Sequence, residues 1–67
     1  MKVTVNYVKD RWEVDLPEGA PVADAIIAVG VPVDDIGFAM IAGRIVRKDY
    51  VLADGDDVTL YAAIVGG

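Results

Sequence analysis

A chain of 67 residues that is 55% apolar is too rich in core-forming groups for a disordered tail and long enough for one small domain. The absence of cysteine and histidine excludes disulfides, thiolate or imidazole metal sites, iron–sulfur clusters, thiol nucleophiles and a histidine base. Six basic against eleven acidic side chains give a net charge of −5, which repels phosphate backbones and anionic lipid, so neither nucleic acid nor membrane is expected as a partner and basic protein surfaces are.

Val3, Val5 and Tyr7 alternate with Lys2, Thr4 and Asn6, the period of a half-buried strand and not the unbroken apolar core of an export signal. Lys9-Asp10-Arg11 is a polar break, after which Trp12, Val14 and Leu16 alternate with Glu13 and Asp15 as a second strand, and the two together predict a hairpin. Pro17 to Pro21 stops the sheet. Pro21 suits a first helical turn, and Val22, Ala25, Ile26 and Val29 then form the apolar stripe of a short helix. Asp24 lies at the positive end of its dipole, Gly30 supplies a left-handed end, and Pro32 forbids continuation. The longest apolar-leaning stretch, Ala25 to Val33, is broken by Gly30 and Pro32 and falls short of the roughly 20 residues that span a bilayer. A cytoplasmic protein is expected.

Val33 to Gly37 reads as a loop. The continuously apolar Phe38 to Ala42 predicts a third strand buried on both faces and hence central. Gly43-Arg44 is the expected two-residue turn, with Ile45-Val46 a brief fourth strand. Arg47 to Ala53 is irregular, with Tyr50 and Leu52 placed to cover a core edge. Asp54 to Asp57 turns tightly, and Val58 to Ala62 alternates as a fifth strand. Strands around a single helix predict an α+β domain over residues 1–67, a mixed sheet of four to five strands with the helix across one face. Should the first and last long strands lie side by side in the middle, the fold is a β-grasp.

Few groups are left for chemistry. Serine is absent, and the hydroxyls are Thr4, Thr59, Tyr7, Tyr50 and Tyr61. Asp56 and Asp57 form a carboxylate pair, but turn chemistry already explains acidic residues beside Gly55. A calcium site at Asp54, Asp56 and Asp57 lacks the distal bidentate glutamate of an EF-hand loop, so no metal is expected. Gly37, Gly43 and Gly55 are too scattered to cradle a phosphate. Arg44, Arg47 and Lys48 make one basic cluster, most simply a solvated face, otherwise a contact for an acidic patch or nucleotide phosphate on a partner. No enzyme is expected.

The sequence ends Ala62-Ala63-Ile64-Val65-Gly66-Gly67. Diglycine has no Cβ, enters slots closed to other residues and leaves a terminal carboxylate unhindered. The simpler account is a frayed terminus, yet frayed ends are usually polar and this one is apolar up to Val65. A carboxylate, ionised above about pH 3.5, is a poor electrophile. To acylate anything it needs activation, for instance as an acyl-adenylate made by a partner that binds ATP.

With the Asp-Gly-Asp turn at Asp54–Asp56, the strand Val58–Ala62 and Gly66-Gly67, the segment DGDDVTLYAAIVGG resembles the ubiquitin-like sulfur carriers of the ThiS/MoaD family. The segment IAGRIV, Ile41 to Val46, is similar to that family's hairpin, with Ala42-Gly43 where many members have Asn-Gly. Many members also carry prolines before the tail, where this chain has Ala62 and Ala63. The resemblance implies a β-grasp with a tail over about 63–67. It implies that an E1-like enzyme of the ThiF or MoeB type uses ATP to adenylate Gly67, which becomes a thiocarboxylate, while the carrier itself holds no cofactor. Gly66 and Val65 would enter the acceptor, either thiazole synthase in thiamine synthesis or the molybdopterin synthase large subunit. Tyr61, with Phe38 or Met40, is the candidate partner contact. A ubiquitin-like protein modifier and a plain β-grasp interaction module are the alternatives.

Overall fold

The structure is a computed structural model that describes residues 1–63. The alternating segments form β1 at Lys2–Tyr7 and β2 at Asp10–Asp15, antiparallel with Val5 opposite Trp12. The helix α1 spans Val22–Ala28, β3 spans Ile36–Ile41, β4 spans Arg44–Val46 and β5 spans Asp57–Ala62. The sheet order is β2-β1-β5-β3-β4, with β1 and β5 parallel and in register from Thr4–Asp57 to Tyr7–Leu60. First and last strands thus lie side by side with β5 in the middle, the arrangement of a ubiquitin-like β-grasp.

Two turns seal this topology onto the sheet. The Asp54 carboxylate accepts the Lys2 N–H at 2.7 Å and the Asp56 carboxylate accepts the Ala53 N–H at 2.8 Å. The Gly55 N–H donates to the Lys2 carbonyl at 2.8 Å, which holds the start of β5 against β1. At the helix, the Val22 and Ala23 N–H groups, unsatisfied in any first turn, donate to the Tyr50 and Lys48 carbonyls at 2.9 Å each. Val22, Ala25 and Ile26 are fully buried against Val3, Val5, Ile36 and Val58. A seven-residue helix is marginal alone, so this packing holds it. Leu52 is buried and Tyr50 packs on the core edge, as expected. Pro21 sits one place earlier than expected, at the helix N-cap, and Gly30 is left-handed at φ 79°.

Further expectations are overturned. Val33 to Gly37 is not a plain loop, since Val33–Asp35 forms one 3-10 turn and β3 begins at Ile36, two residues before the expected Phe38. The first hairpin turns on Val8-Lys9, so β2 begins at Asp10 and not at Trp12. Val8 takes φ 56°, costly for a β-branched residue and invisible to any rule that looks for glycine or asparagine. The second hairpin turns on Ala42-Gly43, one residue before the expected Gly43-Arg44, because Ile41 pairs with Arg44. Both turn residues have positive φ, 52° and 77°, the pattern of a type I′ turn. Finally, β3 is flanked by β5 and β4, one place from the centre, and only one of its faces is covered. The single helix shields one side of the sheet, so Phe38 and Met40 face away from it while Ala39 and Ile41 are buried.

Ala42 pays for its left-handed backbone without any compensating contact of a side chain suited to it. Ala42→Asn is expected to raise the urea midpoint, gaining about 1 kcal/mol, with an unchanged denaturant slope. A lower midpoint would show that the turn does not adopt the positive-φ pair.

Candidate functional site

The uncovered face of the sheet carries an apolar patch. Phe38 on β3 lies directly opposite Tyr61 on β5, and their rings stack at 4.9 Å between centroids and 10° between planes. Such a pair is worth about 0.5–1.5 kcal/mol beyond its burial. Yet Phe38 stays 36% and Tyr61 41% exposed, so more than a third of each residue's surface remains available. Met40, opposite Thr59 on one side and Ile45 on the other, extends the patch across β3 to β4. Ile45 is 70% exposed and was not among the residues singled out from the sequence. The expected burial of β3 on both faces concealed it: Ile45 lies opposite Met40, on the face that no helix covers. Phe38, Met40 and Tyr61 are therefore brought together as one surface.

Beside this patch, along the β4 edge, runs a groove of about 300 Å³ lined by Arg44, Ile45, Val46, Arg47, Asp49 and Tyr50. Of the basic cluster, Arg44 and Arg47 line this groove, and Lys48 lines the adjoining one with Phe38 and Ile45. Lys48 is partly spent on structure, since its Nζ donates to the Val33 carbonyl at 3.2 Å. Arg47 approaches Asp49 at 3.9 Å with both side chains almost fully in water, a pair worth little. The rim of the patch is thus positive on a chain that is otherwise acidic.

The acidic turn does different work. Asp54 and Asp56 bind backbone N–H groups, and Asp57 accepts from the Asn6 side-chain amide and lies 3.6 Å from Arg11. Each carboxylate has its own partner, so they do not converge on a common centre. Among the described residues no group of three or more acidic side chains could hold a metal ion, and no polar or charged side chain is buried. None of their helices is long and apolar enough to cross a membrane.

At its far end β5 passes Ala62 opposite Ile36 and reaches Ala63, whose N–H donates to the Asp35 carbonyl at 2.8 Å. Tyr61, and with it the aromatic stack, lies two residues before this point. Val65, Gly66 and Gly67 lie outside the described residues. The chain therefore departs toward its Gly-Gly dipeptide from the end of the central strand, next to the open apolar face.

Comparison with known proteins agrees with this arrangement. The family model described as Mut7-C ubiquitin matches residues 5–64, nearly the whole chain. The structure of SAMP1 from Haloferax volcanii is 19% identical, with all of both chains aligned and a TM-score of 0.73. A putative molybdopterin converting factor, subunit 1, from Pyrococcus furiosus is 29% identical over 94% of this chain and 98% of its own, with a TM-score of 0.68. A Caldiarchaeum subterraneum ubiquitin is 22% identical over 100% of this chain and 98% of its own, also at 0.68. No curated protein sequence matches the chain.

Proposed function

The chain belongs to the Mut7-C ubiquitin family, and on that premise we propose that it is a sulfur carrier whose Gly67 is activated by a partner and converted to a thiocarboxylate. The observation that carries this is the likeness, at 29% identity over 94% of the chain, to a putative molybdopterin converting factor subunit 1. The same likeness favours the molybdopterin synthase large subunit over thiazole synthase as the acceptor of the sulfur.

The chemistry follows from the carboxylate. A Gly67 carboxylate oxygen attacks the α-phosphorus of ATP in the E1-like enzyme and displaces pyrophosphate, giving an acyl-adenylate. The terminal sulfur of a persulfide then attacks the acyl carbon and AMP leaves. A thiol cleaves the resulting acyl disulfide, becoming part of a new disulfide and leaving the thiocarboxylate. Every catalytic group belongs to the partners, so this chain acts as substrate and carrier, without a bound cofactor, where ATP is available in the cytoplasm. Phe38, Met40 and Tyr61, with Ile45, form the face that meets the partner. Gly66 and Val65 thread its narrow channel, since a residue without Cβ at position 66 allows close backbone approach.

The test is ATP–pyrophosphate exchange by the host's E1-like enzyme. Exchange that depends on this chain and saturates with it is the expected result. No exchange at any concentration of the chain would contradict the carrier role. Chain-dependent exchange followed by ladders of lysine conjugates on a denaturing gel, with no sulfur acquired, would assign a protein modifier instead.

A further inference from the structure

We propose that Gly37 is a positioning residue, the point on β3 that sets the direction in which the chain leaves β5 toward Gly67. The proposal rests on the carrier reading for its functional consequence and on the structure alone for its geometry.

Gly37 differs in kind from the other described glycines. Gly19, Gly30, Gly43 and Gly55 all have positive φ, and a Cβ added to any of them would meet nothing within 4 Å. Their glycine serves backbone torsion. Gly37 has no such torsion, so any residue could adopt its backbone. A Cβ there would instead lie 3.0 Å from the Ala63 Cα, 3.4 Å from its N and 3.6 Å from the Ala62 carbonyl oxygen. Each of those atoms is backbone and cannot swing aside as a flexible side chain would.

The close approach has a local cause. Ile36 pairs with Ala62 but Phe38 pairs with Tyr61, so Gly37 is the extra residue of a bulge, which bends β3 across the end of β5. Both flanks of the bulge are pinned, on one side by the fully buried Ile36 and on the other by the Phe38–Tyr61 stack. The Ala63 N–H is held at 2.8 Å by the Asp35 carbonyl, two residues before Gly37. A hydrogen bond on one side and a bare glycine on the other thus orient the Ala63 peptide. Gly37 itself is exposed and contributes nothing to the core. Its bareness serves the exit of the chain and not the packing of the fold.

Four further residues reach at most about 14 Å from that point. A carboxylate presented at such reach to an ATP held elsewhere depends on where its root is aimed, and misplacement by about 1 Å costs up to 10²-fold in rate.

The experiment compares wild type with Gly37→Ala by two readouts. In amide hydrogen exchange, Ala63 is expected to exchange at least about tenfold faster in the variant, while Val58 to Leu60 stay within about twofold of wild type. In ATP–pyrophosphate exchange with the host's E1-like enzyme, kcat for the chain is expected to fall about tenfold with KM within about twofold, because the docking side chains Phe38, Met40, Ile45 and Tyr61 are all retained. Unchanged Ala63 exchange, an unchanged kcat, a rise in KM alone, or global unfolding of the variant would each overturn the proposal. Global unfolding would do so because it would make Gly37 a structural residue. Should wild type itself support no ATP–pyrophosphate exchange, the carrier reading falls, and Ala63 exchange alone then decides whether Gly37 directs the chain.

Discussion

Deleting Gly66 and Gly67 is expected to abolish activation by the E1-like enzyme, lowering ATP–pyrophosphate exchange by at least about 10³-fold, while leaving the urea midpoint unchanged. The two expectations separate because they draw on different parts of the chain. All of the described buried core, from Val3 to Leu60, lies upstream, so the deletion removes no packed side chain. The new terminal carboxylate would belong to Val65, set back by about 7 Å of extended chain and crowded by a β-branched side chain. A milder variant isolates the second effect. Gly67→Val keeps the chain length and adds the branch, and a loss of about 10²-fold is expected from the displacement that the branch forces on the carboxylate. Full activity in the deletion would leave Gly67 without a role.

The second large effect falls on stability. Ile26 on α1 is fully buried and is among the largest side chains of the core. Ile26→Ala is expected to cost about 2–5 kcal/mol, the lost transfer energy plus the cavity left behind. A domain of this length has only about 3–10 kcal/mol in total, taking roughly 0.05–0.15 kcal/mol per residue. The variant should therefore be largely unfolded under mild denaturant, as read from urea midpoint and slope. The neighbouring Ile27 provides the contrast, since it is 63% exposed and its replacement by alanine should change stability by less than about 0.5 kcal/mol. Equal losses at Ile26 and Ile27 would mean that α1 does not pack on the sheet through Val22, Ala25 and Ile26.

That face of α1 was legible in the sequence because a helix repeats locally: Val22, Ala25 and Ile26 recur at spacings that one strip of chain defines. The alternation of Val3, Val5 and Tyr7 and the glycine end at Gly30 were legible for the same reason. The turns were not. Ala42 and Val8 occupy left-handed backbone that their chemistry disfavours, and only strand pairing on either side forces them there. Moving one turn by a single residue changed the partner of Ile45 from Ala42 to Met40 and left it on the same face, so what hid its exposure was the reading of β3 as covered on both sides. The apolar run of β3 could not reveal which of its faces lacked a cover, because that depends on there being one helix and on which side it lies.

At the site, the residue types were legible and their proximity was not. The aromatic character of Phe38 and Tyr61 is written in the chain, whereas their stacking depends on β3 and β5 pairing in a register that the bulge shifts. Gly37 left no local mark: in sequence it resembles a loop glycine, and the reason for it is Ala63, far along the chain. The Gly66-Gly67 dipeptide was legible as chemistry, through its missing side chains.

Incubating the chain with ATP, its E1-like enzyme and a persulfide donor, then weighing it intact, tests the sulfur-carrier role most directly. A mass increase equal to one oxygen exchanged for one sulfur, located at Gly67 by fragmentation and absent when ATP is withheld, is the predicted result. An unchanged mass, under conditions where the same enzyme activates the chain as an adenylate, would contradict it.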